Sequence, residues 1–300
     1  MQHSLGQAPP AAVRPAFRLW PLFASRGGAF DSLTFGAHAI LWVMVIASLA
    51  PFVWMFLGSF KDFKELTQFP PTILPQHFTL QNYAVVLFQI NFLQAMVNSM
   101  FVAVAVTLAT LATSATAGYV FATYQFRGKD ALFVLLLSTM MVPFAVILIP
   151  LYVTISSLGL HDSLGGLIVT GLCSTFGIFM MRQFMATIPP ELIDAGRIDG
   201  ASEWWIFARI ILPLSGAPLA ALAVFTFHAS WDNFLWPLVV LSSPEVKTLP
   251  LALASLTSLY WTRYDLWVTG SCLTVLPTLL IYAVAQKQFV RGIALSGLKA

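Results

Sequence analysis

Apolar residues run without interruption for long distances along this chain. Residues 36–58, GAHAILWVMVIASLAPFVWMFLG, contain no charged side chain. A helix of that length crosses the ~30 Å hydrocarbon core of a bilayer. Comparable runs recur at 92–119, 131–155, 164–181, 214–241 and 266–285, so the pattern predicts six spans. A membrane barrel would instead alternate apolar and polar residues over strands of about 10 residues, and an open sheet would leave backbone groups unpaired in lipid. The expected fold class is an all-α integral membrane protein.

The segments between the runs differ in character. Residues 59–91 form a long loop in which Pro70, Pro71 and Pro75 exclude a continuous helix. Residues 242–265 form a second substantial loop, whereas 124–130 and 158–166 are short links. Within the second run, ATLATSATAGY is rich in small residues, which let membrane helices approach closely. Pro51 falls in the first run, where bundle neighbours re-satisfy the carbonyl it frees. Pro143 and Pro150 fall in the third run, and Pro218 and Pro237 interrupt the fifth.

Composition removes the soluble alternatives. The chain is 58% hydrophobic and 9% charged, against about 25% charged in soluble domains. Charge also orients the spans, because Lys and Arg concentrate on the cytoplasmic side. With both termini inside, the inner segments hold Arg14, Arg18, Arg26, Arg127, Lys129, Arg182, Arg197, Arg209, Lys287, Arg291 and Lys299. The outer segments hold Lys61, Lys64, Lys247 and Arg263, a bias of eleven to four. The expected organisation is an N-terminal cytoplasmic tail (1–35), a six-helix membrane domain (36–290) and a C-terminal cytoplasmic tail (291–300). No apolar core of signal-peptide length precedes a cleavage site in the basic, proline-rich start. The net charge of +3 is read through this topology, and no nucleic-acid partner is expected.

The most charged segment is 189–213, PPELIDAGRIDGASEWWIFARIILP, which the charge bias places in the cytoplasm. Pro189 and Pro190 suit a helix start, and Glu191 and Asp194 then complement its macrodipole. Leu192, Ala195 and Ile198 form an apolar stripe, with the first helix expected over 194–199. Gly200 suits a left-handed cap. Ser202 suits the N-cap of a second helix over Trp204, Trp205, Phe207 and Ile210. A helix that merely lies among lipid headgroups has the same periodicity.

The same stretch fits E-A-A-x3-G-x9-I-x-L-P at Asp194, Ala195, Gly196, Gly200, Ile210, Leu212 and Pro213, with Asp194 in place of Glu and Gly196 in place of the second Ala. It resembles the signature of the permease subunits of binding-protein-dependent ABC importers, and DGAS, with Asp199 and Ala201, is typical of that family. The resemblance extends to PFVWMFLGSFK (51–61), the Pro70, Pro71, Asn82 and Tyr83 loop, Asn98 with Ser99, WDNFLWPL (231–238) and RGIALSGLK (291–299), which look like the MalG-like half of the carbohydrate branch. It implies the type I ABC importer permease fold, with both termini cytoplasmic. The motif residues would couple the pore to ATPases by docking in a cleft on them. The implied partners are a sister MalF-like permease, two ABC ATPase subunits, an extracytoplasmic solute-binding protein and the lipid bilayer. No cofactor is expected in this chain. ATP and Mg would be held by the ATPases, so the chain is expected not to be an enzyme. The outer loops 59–91 and 242–265 are expected to meet the binding protein.

A sugar path needs hydroxyl-pairing groups and aromatic faces. Candidates on the spans are Asn98, Ser99, Tyr152, Trp231 and Asn233. Other chemistry is thin. RGKD (127–130) lacks the glycine spacing and the Ser/Thr of a P-loop. His3, His38, His77, His161 and His228 are scattered, and no metal or catalytic site is expected. Cys173 and Cys272 lie in apolar runs and read as small hydrophobes. The competing class is an ion-coupled secondary transporter, which needs intramembrane ionisable groups. Asp232, one turn after His228, is its one acidic candidate within a span. It lies about 27 Å along the helix from residue 214, close to the outer interface.

Overall fold

A computed structural model describes residues 32–257 and 262–296. Of the expected tails, 1–31 and 297–300 lie outside the described residues, while 32–35 and 291–296 are helical. The chain divides into two compact units, 1–51 and 52–300. The first holds most of α1 (Ser32–Gly58), which continues through Pro51. The second holds the packed core.

In chain order the second unit contains α2 (Phe63–Thr67), α3 (Gln81–Ala84), α4 (Phe92–Thr123), α5 (Lys129–Ser138), α6 (Phe144–Ser157), α7 (Leu164–Thr170) and α8 (Thr175–Met185). It continues with α9 (Pro190–Ile198), α10 (Glu203–Ile206), α11 (Leu212–Leu214), α12 (Gly216–Trp231), α13 (Leu235–Val240), α14 (Leu249–Ala254) and α15 (Tyr264–Ser296). No strand occurs among the described residues, only an isolated bridge between Thr257 and Thr262. Among the described residues three helices are long and apolar enough to cross a membrane alone: α1, α4 and α15. Three further candidates are bent pairs: Lys129–Met141 with Phe144–Ser157 at 100°, Leu164–Thr170 with Thr175–Met185 at 40°, and Glu203–Leu214 with Gly216–Trp231 at 77°.

The bends have local causes. Pro143 forces Val142 out of the helical region, to φ −82° and ψ 115°, the restriction expected of a residue before proline. The third run is therefore two half-helices. The prolines of the fifth run act differently from the expectation. Pro218 lies in the first turn of α12 and Pro237 in that of α13, where no amide partner is lost, and the break falls instead between 231 and 235. The α7–α8 break carries no proline. Ser174 caps α8, its Oγ accepting from the Gly177 amide at 3.1 Å. The carbonyls released at Gly171 and Leu172 accept from the hydroxyls of Thr110 and Thr113, each at 2.9 Å. Non-helical backbone inside a membrane protein requires such partners.

Helix α4 is the axis of the unit, and three apolar clusters follow it. Phe92, Ala95 and Ala103 pack with Phe227, Trp231, Leu249 and Leu266. Val102 and Val106 pack with Ile155, Leu167, Trp236 and Val240. Ala115 and Tyr119 pack with Met181, Ile206, Phe207 and Leu222. Lipid tails are as apolar as these side chains, so close packing rather than escape from water holds membrane helices together. The small residues of α4 serve that end. A Cβ on Gly118 would lie 2.6 Å from Met181 Cβ, which measures how tightly α4 and α8 meet.

The segment 59–91 is more ordered than its prolines imply. Asp62 caps α2, its Oδ1 accepting from the Glu65 amide at 2.7 Å. Lys61 and Glu65 are both buried and stand 3.8 Å apart. Glu65 accepts from the Thr72 hydroxyl at 2.7 Å and the Gln76 amide at 2.9 Å, and Lys61 donates to the Thr72 carbonyl. Burial pushes the Glu65 carboxyl up, but these donors and Lys61 hold it below its ordinary range. Asn82 closes the segment, donating to the Lys61 carbonyl at 2.7 Å.

Candidate functional site

The stretch 189–213 folds as two short helices about a tight turn. Pro189 is the N-cap of α9 and Pro190 its first residue, with Glu191 in the first turn. The helix therefore starts four residues before 194 and ends at Ile198, with Asp199 as its C-cap. Gly200 has φ +77°, a conformation that costs an L-residue roughly 1–2 kcal/mol. The Ala201 amide donates to the Gly196 carbonyl and the Gly200 amide to the Arg197 carbonyl, both at 3.0 Å. This pairing is the Schellman closure of a helix end. Ser202 caps α10, its Oγ accepting from the Trp205 amide at 3.3 Å. A π-helical turn at Phe207–Ile211, which includes Ile210, leads through Leu212 and Pro213 into α12.

The two faces of α9 differ in exposure. The inward face is Ile193 and Gly196, which are buried. Leu192, Ala195 and Ile198 are exposed, Ile198 to 86%. Trp204 and Trp205 are exposed as well. Gly196 has a steric reason, since a Cβ there would come within 3.1 Å of Ile206 and 3.4 Å of Ile210. Asp194 is exposed and lies 3.3 Å from Arg197 Nη1.

A charged network, not singled out from the sequence, ties the two short helices together. Arg197 Nε donates to Glu203 Oε1 at 2.7 Å and Nη2 to Oε2 at 3.4 Å. Tyr124, just past the end of α4, donates to Glu203 Oε2 at 2.6 Å, and Tyr119 donates to the same atom at 3.4 Å. The Arg197 hydrogen bond, then that of Tyr124, holds the Glu203 carboxyl below its ordinary range, and Glu203 raises the Arg197 guanidinium in turn. The only local signal was an Arg and a Glu flanking Gly200. The tyrosines stand about 80 positions earlier in the chain.

The second feature is a cavity of about 800 Å³ between α4, α6, the α7–α8 break and the end of α12. Of the candidate path residues it brings together Ser99 and Asn233, alongside Thr226, His228 and Ser230. No Asp, Glu, Lys or Arg lines it. Ser99 Oγ also accepts from the Leu249 amide at 2.7 Å, and Asn233 Oδ1 accepts from the Trp236 amide at 3.3 Å. The other three candidates lie off the cavity lining. Trp231 is fully buried, donating from Nε1 to the Thr274 carbonyl at 3.2 Å. Asn98 donates to the carbonyls of Glu245 and Lys247 at 2.8 and 3.0 Å. Tyr152 meets the His161 ring edge-on at 5.7 Å. Asp232 is exposed, 3.6 Å from His228. Among the described residues no cluster of His, Cys, Asp or Glu could hold a metal.

Comparison with known proteins bears on both features. Residues 114–293 match the family described as binding-protein-dependent transport system inner membrane component. The chain is 34% identical over 270 residues to the arabinooligosaccharides transport system permease protein AraQ of Halalkalibacterium halodurans, covering 89% of this chain and 95% of that one. It is 34% identical over 255 residues to the lactose transport system permease protein LacG of Rhizobium radiobacter, covering 85% and 93%. Its fold matches a chain of a bacterial ABC transporter involved in the import of the acidic polysaccharide alginate, with a TM-score of 0.78 at 21% identity, covering 88% of this chain and all of that one. These likenesses favour a permease of an ABC importer over an ion-coupled carrier. The chain belongs to the inner membrane components of binding-protein-dependent transport systems.

Proposed function

We propose that this chain forms one half of the pore of an ATP-driven importer for a sugar or sugar-like solute. A sister permease completes the pore, two ATPase subunits dock beneath it, and an extracytoplasmic binding protein delivers the solute. The chain hydrolyses no ATP itself. It has six spans, α5 with α6 and α7 with α8 each counting as one and the fifth beginning at Leu214, with both termini and 189–213 in the cytoplasm. The eleven-to-four distribution of Lys and Arg supports that orientation.

The observation that carries the reading is the outward face of 189–213. Leu192, Ala195 and Ile198, with Trp204 and Trp205, expose apolar surface on a segment framed by charged residues. A groove on a soluble partner can take such a helix by its apolar ridge. In this reading ATP binding draws the ATPases together and the docked loops follow. The cavity then opens alternately to either side of the membrane. Its lining of hydroxyls, an amide, an imidazole and aromatic rings, with no Asp, Glu, Lys or Arg, suits a neutral polyhydroxylated solute.

The test uses the assembled transporter. Ile198→Asp places a charge on an exposed position and leaves the packing of α9 untouched. It is expected to abolish uptake and release the ATPase subunits while the sister permease stays bound. Gly200→Pro removes both the positive φ and the amide that closes the turn, and is expected to abolish uptake as well. Normal uptake and normal solute-stimulated ATP hydrolysis in both variants would end the docking proposal.

A further inference from the structure

We propose that Glu203 is a positioning residue that makes 189–213 move with α4, through Tyr124 and Tyr119, as well as with α12. This rests on the reading of 189–213 as the ATPase-docking segment. Covalently the loop joins α8 through residues 186–189 and α12 through Pro213, the latter across the 77° bend at residue 215. A bend is a compliant joint, so α12 alone transmits a push poorly.

A further route, through side chains, is short. Arg197 on α9 grips Glu203 through two guanidinium nitrogens, at 2.7 and 3.4 Å. Oε2, which also takes Arg197 Nη2, accepts from Tyr124 at 2.6 Å and from Tyr119 at 3.4 Å. Charge-assisted bonds of this kind are about twice as strong as neutral ones. Tyr119 is buried in the cluster shared by α4, α8 and the loop. From Tyr124, α4 runs unbroken to Thr110 on the cavity wall, about 21 Å at 1.5 Å per residue. A displacement of α9 thus reaches the cavity along one continuous helix. Through hydrogen bonds, Glu203 joins both loop helices to the end of α4.

The complete transporter, with sister permease, ATPases and binding protein, is reconstituted in proteoliposomes carrying Tyr124→Phe or Glu203→Gln. Tyr124→Phe removes one hydroxyl and keeps the ring that meets Tyr119 edge-on at 5.7 Å, so folding is preserved. The readout is ATP hydrolysed per solute imported, with ATPase occupancy measured on the same sample. Both variants should keep their ATPases bound and raise that ratio on the order of tenfold, within the ordinary range of coupling between sites. Glu203→Asp, which keeps the charge, should recover part of the loss. An unchanged ratio with ATPases bound would overturn the inference. Loss of the ATPases from Glu203→Gln would also overturn it, because Glu203 would then serve docking itself. Failure of the unaltered transporter to hold ATPases would instead sink the reading on which the inference rests.

Discussion

Gly118→Ala tests the packing that makes α4 the axis of the unit. The added methyl would lie 2.6 Å from Met181 Cβ, 3.0 Å from the Arg182 backbone nitrogen and 3.1 Å from the Met181 carbonyl carbon. Ordinary contact between carbon atoms is about 3.5–4.0 Å, so α4 and α8 must part by about 1 Å. No rotamer change relieves the clash, because the obstructing atoms are backbone or Cβ. Overpacking of this kind costs about 1–3 kcal/mol. Parting the helices also weakens contacts along the interface, since a gap of about 0.5–1 Å forfeits a quarter to a half of each. The helix propensity of Ala over Gly returns about 1 kcal/mol. With the weakened contacts included, a net loss of about 1–2 kcal/mol corresponds to a fall in melting temperature of about 2–8 °C. The assay is a thermal melt of the assembled transporter in nanodiscs. Gly216→Ala is the internal control, because nothing lies within 4 Å of the added Cβ. Gly177→Ala should fall between the two, because its nearest obstruction at 2.3 Å is the Ser114 hydroxyl, which can rotate. If Gly118→Ala melts with the control, the close approach of α4 and α8 is wrong.

Two further outcomes are expected. Asp162 takes the Ser243 hydroxyl and the amides of Ser243 and Ser242, which hold its carboxyl down to about 2 from an ordinary 3.8. A carboxyl depressed on folding stabilises above its unfolded value and loses that contribution as pH falls through its folded value. Protection of the Ser242 and Ser243 amides, corrected for intrinsic exchange, should thus stay constant from pH 7 to pH 4 and drop only toward pH ~2. Asp162→Asn should speed their exchange by about an order of magnitude at pH 7, and an unchanged rate would remove the clasp. Cys173 is exposed on the cavity and Cys272 is buried, so a small maleimide should modify Cys173 in folded transporter and reach Cys272 only after denaturation. Equal labelling of both would contradict the assigned cavity wall.

Much of the architecture was legible because its causes are local. Unbroken apolar runs marked α1, α4 and α15, whereas 131–155 was expected as one span and is broken by 100° at Pro143. The turn at Gly200 was legible for the same reason, since Ser202 and the paired prolines act within a few residues. What escaped depends on distant partners. The α7–α8 break has no proline and exists because Thr110 and Thr113 receive its carbonyls. The orientation of α9 was ambiguous, because Ile193 with Gly196 and Leu192 with Ile198 are both apolar pairs, and only the position of Ile206 decides between them. Trp231 and Asn98 looked suited to a solute by residue type, yet their polar atoms are taken up by backbone partners more than 40 positions away. The buried Lys61–Glu65 pair was not legible because its partners Thr72 and Gln76 come from the loop that follows.

The polar fastenings of this chain also carry an order of assembly. The side-chain hydrogen bonds of Lys61 and Glu65 fall within residues 61–77, a short loop whose closure entropy is small. It can therefore form as soon as that stretch leaves the ribosome. Residues 242–249 are held by Asp162, Asn98 and Ser99, between 80 and 150 positions earlier. The second half of the protein is thus shaped on a template laid down by the first, and synthesis from the N-terminus supplies that template before it is needed.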